Sequence, residues 1–160
     1  MKKSLTIILF IIFLTLCLYP DYSVRADDVY CSEIIQNTDG SYIIVTMMTN
    51  TSFCSSNTPR TSYTKTTSRT FTYYSSDNVA KWDVVLTATF IYDNITSSCI
   101  ASSASYHTYD TTWSCTSLLP GKAGNAAWAN FTFVQTVHFI TCNTYTGCVS
   151  MSCSANGTIS

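Results

Sequence analysis

Residues 79–94, VAKWDVVLTATFIYDN, carry the strictest alternation in the chain. One set of every-second positions is Ala80, Trp82, Val84, Leu86, Ala88, Phe90 and Tyr92. The other is Val79, Lys81, Asp83, Val85, Thr87, Thr89 and Ile91. Successive side chains of an extended backbone point to opposite faces, so a period of two specifies a strand with one apolar wall and one mixed face. A helix would scatter both sets around its circumference. The Trp82–Tyr92 set is expected to face a core. Lys81 and Asp83 are expected to meet neighbouring strands or water rather than a substrate.

Strand signals of the same kind recur every 10–15 residues or so, and no long stretch has apolar residues at helical spacing. VYCSEIIQN is short and extended, and SYIIVTMM follows the TDG turn. Residues 50–60 read as a loop. SYTKTTSRTFTYY is a strand, SSDN turns the chain, and CIASSASYHTY and TTWSCTSLL are further strands. PGKAGN reads as a turn. AAWANFTFVQTVHFIT reads as one long strand with Ala127, Ala129, Phe131 and Phe133 on one face, and GCVSMSCS closes the sheet. About eight strands in one domain predict an all-β, antiparallel, two-sheet immunoglobulin-like sandwich with little helix.

The N-terminus predicts export. Lys2 and Lys3 precede an apolar run from Leu5 to Leu18, the length of a signal-peptide core and short for a membrane span. Val24 and Ala26 suit a cut before Asp27, giving residues 1–26 as signal peptide and 27–160 as one domain. Two alternatives are an uncleaved anchor and a lipid anchor through Cys17, although Leu16 is larger than a lipoprotein signal wants. From Asp27 onward, five Lys/Arg stand against eight Asp/Glu. That balance excludes the basic patch nucleic acid needs, and no second apolar run of membrane length follows. Ser and Thr make up about a third of the mature chain, so its surface is rich in hydroxyls.

Seven cysteines remain after Cys17: Cys31, Cys54, Cys99, Cys115, Cys142, Cys148 and Cys153. Export makes disulfides the leading reading, and the absence of a C-x₂-C pair argues against a metal site. Spacing does not settle connectivity. Strand logic suggests Cys31–Cys54 around the first hairpin, Cys142–Cys148 across an NTYTG hairpin loop, and Cys99–Cys153 tying the middle to the C-terminus. Cys115 is then the free thiol.

The segment order is similar to that of a family of small secreted proteins from gut-dwelling Gram-positive bacteria such as clostridia. The segments that carry the likeness are RTFTYYSSDNVAKWDVVLTATFIYDNITSSCIASSASYHTYDTTWSC, GNAAWANFTF and SCSANGTIS, within residues 39–160. The resemblance implies a secreted β-sandwich with no assigned activity, and Cys99 and Cys153 as the pairing positions. Cys31, Cys54, Cys115, Cys142 and Cys148 depart from its pattern.

Catalytic signatures are scarce. His107 and His138 read as half-buried strand histidines. Glu33 is the only glutamate. Asp77, Asp93 and Asp110 sit at turns, where aspartate bonds its own backbone. No G-x-S-x-G, H-E-x-x-H, phosphate loop or calcium loop occurs, and no cofactor is expected. Sequons begin at Asn50, Asn94, Asn130 and Asn156, a number that chance alone explains in so Ser/Thr-rich a chain. Exposed aromatics could stack on sugars. Trp128 falls opposite the apolar set of its strand, beside Asn130, and Tyr106 and Tyr109 complete the candidate binding residues. The expected role is non-enzymatic binding of an extracellular protein or glycan. The alternatives are a hydrolase uniting a histidine with an aspartate or Cys115, and a secreted antibacterial protein.

Overall fold

The computed structural model describes residues 28–54 and 62–160, with side chains described at 33–51 and from 62 onward. The expected signal peptide and the Cys31–Cys54 pairing lie outside the described residues and side chains. The described residues form eight strands: β1 (Asp28–Gln36), β2 (Tyr42–Cys54), β3 (Ser62–Tyr74), β4 (Ala80–Tyr92), β5 (Ser97–Thr108), β6 (Trp113–Ala123), β7 (Ala126–Val137) and β8 (Ile140–Ser152). All pairings are antiparallel. Sheet A has the order β1-β2-β3-β4-β5 and sheet B the order β6-β7-β8. The fold is an all-β two-sheet sandwich. Its immunoglobulin likeness holds at the level of two packed antiparallel sheets. The connectivity is a pair of meanders, each strand beside its sequence neighbour, without a Greek-key crossover.

The alternation of β4 builds the core. Trp82, Val84, Leu86 and Phe90 are fully buried and meet Ala127, Ala129, Phe131 and Phe133 of β7. Trp82 stacks on Phe133 with ring centroids 4.2 Å apart, and on Tyr73 at 5.1 Å. The mixed face of β4 also has partners. Lys81 pairs with Asp110 at 3.2 Å, and Asp83 accepts a hydrogen bond from the Tyr109 hydroxyl at 2.5 Å.

Four boundaries differ from the sequence expectation. β2 runs on to Cys54 through residues 50–54, expected to lie in a loop, because they continue the ladder with β3. β6 runs through Pro120 and Gly121 to Ala123, and the turn is Gly124–Asn125 alone. Pro120 is tolerated because β6 is an edge strand, where a missing N–H breaks no ladder. The expected long strand from Ala126 divides at His138 and Phe139, a two-residue hairpin loop whose φ values are 49° and 66°. Positive φ at both positions matches the twist that antiparallel strands need from a tight turn. Asn-Gly is the usual signal, and His-Phe conceals it.

The expected NTYTG hairpin does not form, because those residues lie inside β8. Gly147 serves packing instead: an added Cβ would sit 2.7 Å from Phe131 Cζ. The Cys142–Cys148 pairing fails with the hairpin. Six residues of one extended strand separate the two by about 20 Å, whereas a disulfide needs Cα atoms within about 7 Å. Cys142 is the extra residue of a bulge between Asn143 and Thr141, and both thiols are exposed.

Candidate functional site

β7 alternates cleanly, so its buried set leaves Trp128, Asn130 and Thr132 on the outer face of sheet B. Cross-strand register fills in their neighbours, because directly opposed residues share a face. Gly121 and Ser150 flank Trp128, Leu119 and Cys148 flank Asn130, and Ser117 and Thr146 flank Thr132. The Trp128 indole lies over the Gly121 backbone. A Cβ there would approach Trp128 Cε2 to 2.6 Å and Nε1 to 2.7 Å. Glycine therefore permits the ring to lie across the neighbouring strand instead of standing upright.

The face that results holds no charged side chain among these nine positions. It offers one half-buried indole, the exposed Asn130 amide, and the hydroxyls of Ser117, Thr132, Thr146 and Ser150. Thr132 and Thr146 bond each other at 3.2 Å. An aromatic plane flanked by neutral donors and acceptors is the surface a neutral sugar ring recognises, through its apolar C–H face and its hydroxyls. Trp128 and Asn130 were readable from the period of one strand. Gly121, Leu119, Ser117 and Ser150 join them through strand register, which no local pattern encodes.

Tyr109 and Tyr106 lie elsewhere. Tyr109 follows β5 at one end of sheet A, where its ring meets His107 edge-on at 4.5 Å and its hydroxyl donates to Asp83. Asp83 and His107 are opposed in the β4–β5 ladder. The bond to Asp83, then burial, then the carboxylate charge push the Tyr109 phenol up to about 12. Tyr106 points to the inner side of β5 and meets Phe133 edge-on at 5.8 Å.

The Tyr109 bond makes a direct prediction. The folded value lies above the ordinary 10, so the bond's contribution is complete below pH 10 and is lost as pH climbs through about 12. Ultraviolet titration should show one tyrosine ionising near pH 12, and Asp83→Asn should move it toward 10. A late-titrating phenol unaffected by Asp83→Asn would show that another residue holds it.

The remaining carboxylates serve turns. Asp93 Oδ1 accepts from the Ile95 and Thr96 amides, and Asp110 Oδ1 from the Thr112 amide and hydroxyl. Asp77 accepts from the Ser75 hydroxyl. These bonds hold the Asp77 and Asp110 carboxyls below the usual range, with the Ser75 hydroxyl leading for Asp77 and the Thr112 amide for Asp110. His138 sits in the β7–β8 turn. Cys115 lies on β6 opposite Phe133, its thiol donating to Ser117 O at 3.3 Å, and burial pushes that thiol up. His107 is thus brought beside an aspartate, while Cys115 belongs to the other sheet and is held as a thiol.

Cys99 and Cys153 are free, buried thiols. Their amides bracket one turn: Cys99 N–H donates to Gly124 O at 2.8 Å, and Cys153 N–H to Asn125 O at 2.9 Å. Burial raises both thiols, and the charge of Cys99 adds to the shift at Cys153.

Comparison with known protein families, with curated proteins and with solved structures finds no match.

Proposed function

We propose that this chain is an exported, non-enzymatic protein that binds a neutral extracellular glycan on the outer face of sheet B. The observation that carries the reading is the Trp128 indole laid over Gly121 in an uncharged field of amide and hydroxyl groups. Three strands span about 10 Å and residues 128–132 about 13 Å, room for two or three sugar rings. Export is supported by Lys2 and Lys3, the Leu5–Leu18 run and the Val24/Ala26 cleavage pattern, with attachment through Cys17 as the lesser route. In an oxidising compartment Cys99 and Cys153 form the bridge that joins the two sheets, consistent with the secreted family the segment order resembles.

The test is a glycan and cell-wall binding screen with the mature protein and its Trp128→Ala variant. Removing a central stacking ring should weaken binding by roughly 2 kcal/mol, about thirty-fold, while the circular dichroism spectrum stays that of the parent. Binding that is indifferent to Trp128→Ala, or absent across the screen, would remove the reading.

A further inference from the structure

The two sheets are unequal, and the mismatch leaves a lane. β8 lies over β3, and no strand of sheet B lies over β1 or β2. Sheet A therefore overhangs β8 by two strands, about 10 Å. On the lane's floor, Met47 and Thr49 are only half-buried, and with Lys65 and the segment Asn156–Ile159 they line a cleft of about 390 Å³. The lane's wall is the outer edge of β8. The N–H and C=O of Ser152 point to that edge, because both pair with Ser160 at 3.0 Å or less. Ser150 O also points there and accepts from Arg69 Nη1 at 2.5 Å. Backbone groups alternate sides along a strand, so Cys148, Thr146 and Thr144 turn theirs to the same edge. Among the described residues no strand pairs with them.

Two of the other three sheet edges, β6 and β1, carry charges that this edge lacks; β5 is neutral too but packs beside β6, and the bulge of β8, at Cys142, lies beyond Thr144. β6 has Pro120 and Lys122; β1 has Asp28, Glu33 and a bulge. ITCNTYTGCVSMS contains no charge and no proline. Long neutral edges are templates for strand addition. The chain already shows the mode: Ile159 and Ser160 add to β8 opposite Cys153 and Ser152, and Ile159 packs against the core.

We propose that the β8 edge from Ser150 to Thr144 takes up a single extended peptide segment from another protein, as a fourth strand of sheet B. The segment would bear apolar residues at alternate positions and a carboxylate that meets Arg69. The overhang selects the occupant. A second sandwich brought edge-on to β8 would drive its own second sheet into β1 and β2, whereas one strand fits. Charge selects its chemistry: Arg69 faces the lane with a buried Nε that has no hydrogen-bond partner among the described residues, and its Nη1 contact is to a neutral carbonyl. This site is separate from the sugar-binding face and stands without it.

The probe is a synthetic peptide alternating valine with threonine, with one central glutamate, and a control carrying lysine in its place. Binding is measured on the mature protein by titration and by hydrogen exchange. The glutamate peptide should bind about ten-fold tighter than the lysine peptide and slow exchange at Thr144, Thr146 and Cys148. Arg69→Gln should abolish that preference. Thr144→Pro removes an edge N–H without breaking the β7 ladder, and should weaken binding about ten-fold in a protein with parental thermal stability. No binding at millimolar peptide, binding without protection of these amides, or self-association of the parent lost in Thr144→Pro would each overturn the proposal.

Discussion

Trp82→Ala should destabilise the fold by about 3–5 kcal/mol in denaturant unfolding, the range for large-to-small changes in a closed core. Trp82 has no exposed surface. It stacks on Tyr73 and Phe133 and touches Phe131, Trp113 and Tyr145, so one deletion opens contacts to β3, β6, β7 and β8 at once. Its indole N–H has no hydrogen-bond partner among the described residues. Trp82→Phe should therefore cost much less than alanine, because it keeps most of the stacking and removes an unsatisfied donor. Trp128→Ala, on the half-exposed outer face, should cost under about 2 kcal/mol. A loss below about 1 kcal/mol for Trp82→Ala, or a larger loss at Trp128 than at Trp82, would mean that the sandwich is not held together at this ring.

Oxidative refolding should join Cys99 to Cys153. The bridge would close a loop of about 55 residues and restrict the unfolded chain by about 4 kcal/mol in the chain-entropy model. It would tie β5 of sheet A to the segment that follows β8, beside the Gly124–Asn125 turn that both amides already hold. Oxidation of the chain once it is folded and reduced should be slow without a catalyst. Burial pushes both thiols up, so little thiolate exists at neutral pH, and thiolate is the attacking species. Peptide mapping under non-reducing conditions should recover the Cys99–Cys153 pair, and the Cys99→Ala/Cys153→Ala variant should lose the added stability. Cys99 recovered with a different cysteine, or both thiols free after oxidation, would remove the bridge.

How much was legible in advance depends on the residue. The alternation of 79–94 stated both that β4 is a strand and which side of it is buried. The same reasoning put Trp128 and Asn130 on the outer face of β7. It failed at the β7–β8 turn, where His138 and Phe139 adopt left-handed backbone without glycine, and their apolar neighbours continue the strand pattern on both sides. It failed again at Gly147, whose role is set by Phe131, a residue sixteen positions earlier on the neighbouring strand.

Period and composition act within a few residues, because the side-chain direction of an extended chain is a property of its own backbone. They alone determined that this chain is all-β, that one face of β4 and one of β7 are apolar, and that Trp128 and Asn130 lie on the opposite face of β7. Register, sheet partnership and overhang are pairings between residues far apart in the chain, and the packing of two sheets selects among them. Only the tertiary structure decided that Gly121 lies under Trp128, that Cys142 and Cys148 lie far apart on one strand, and that from Ser150 to Thr144 the outer edge of β8 pairs with no strand among the described residues.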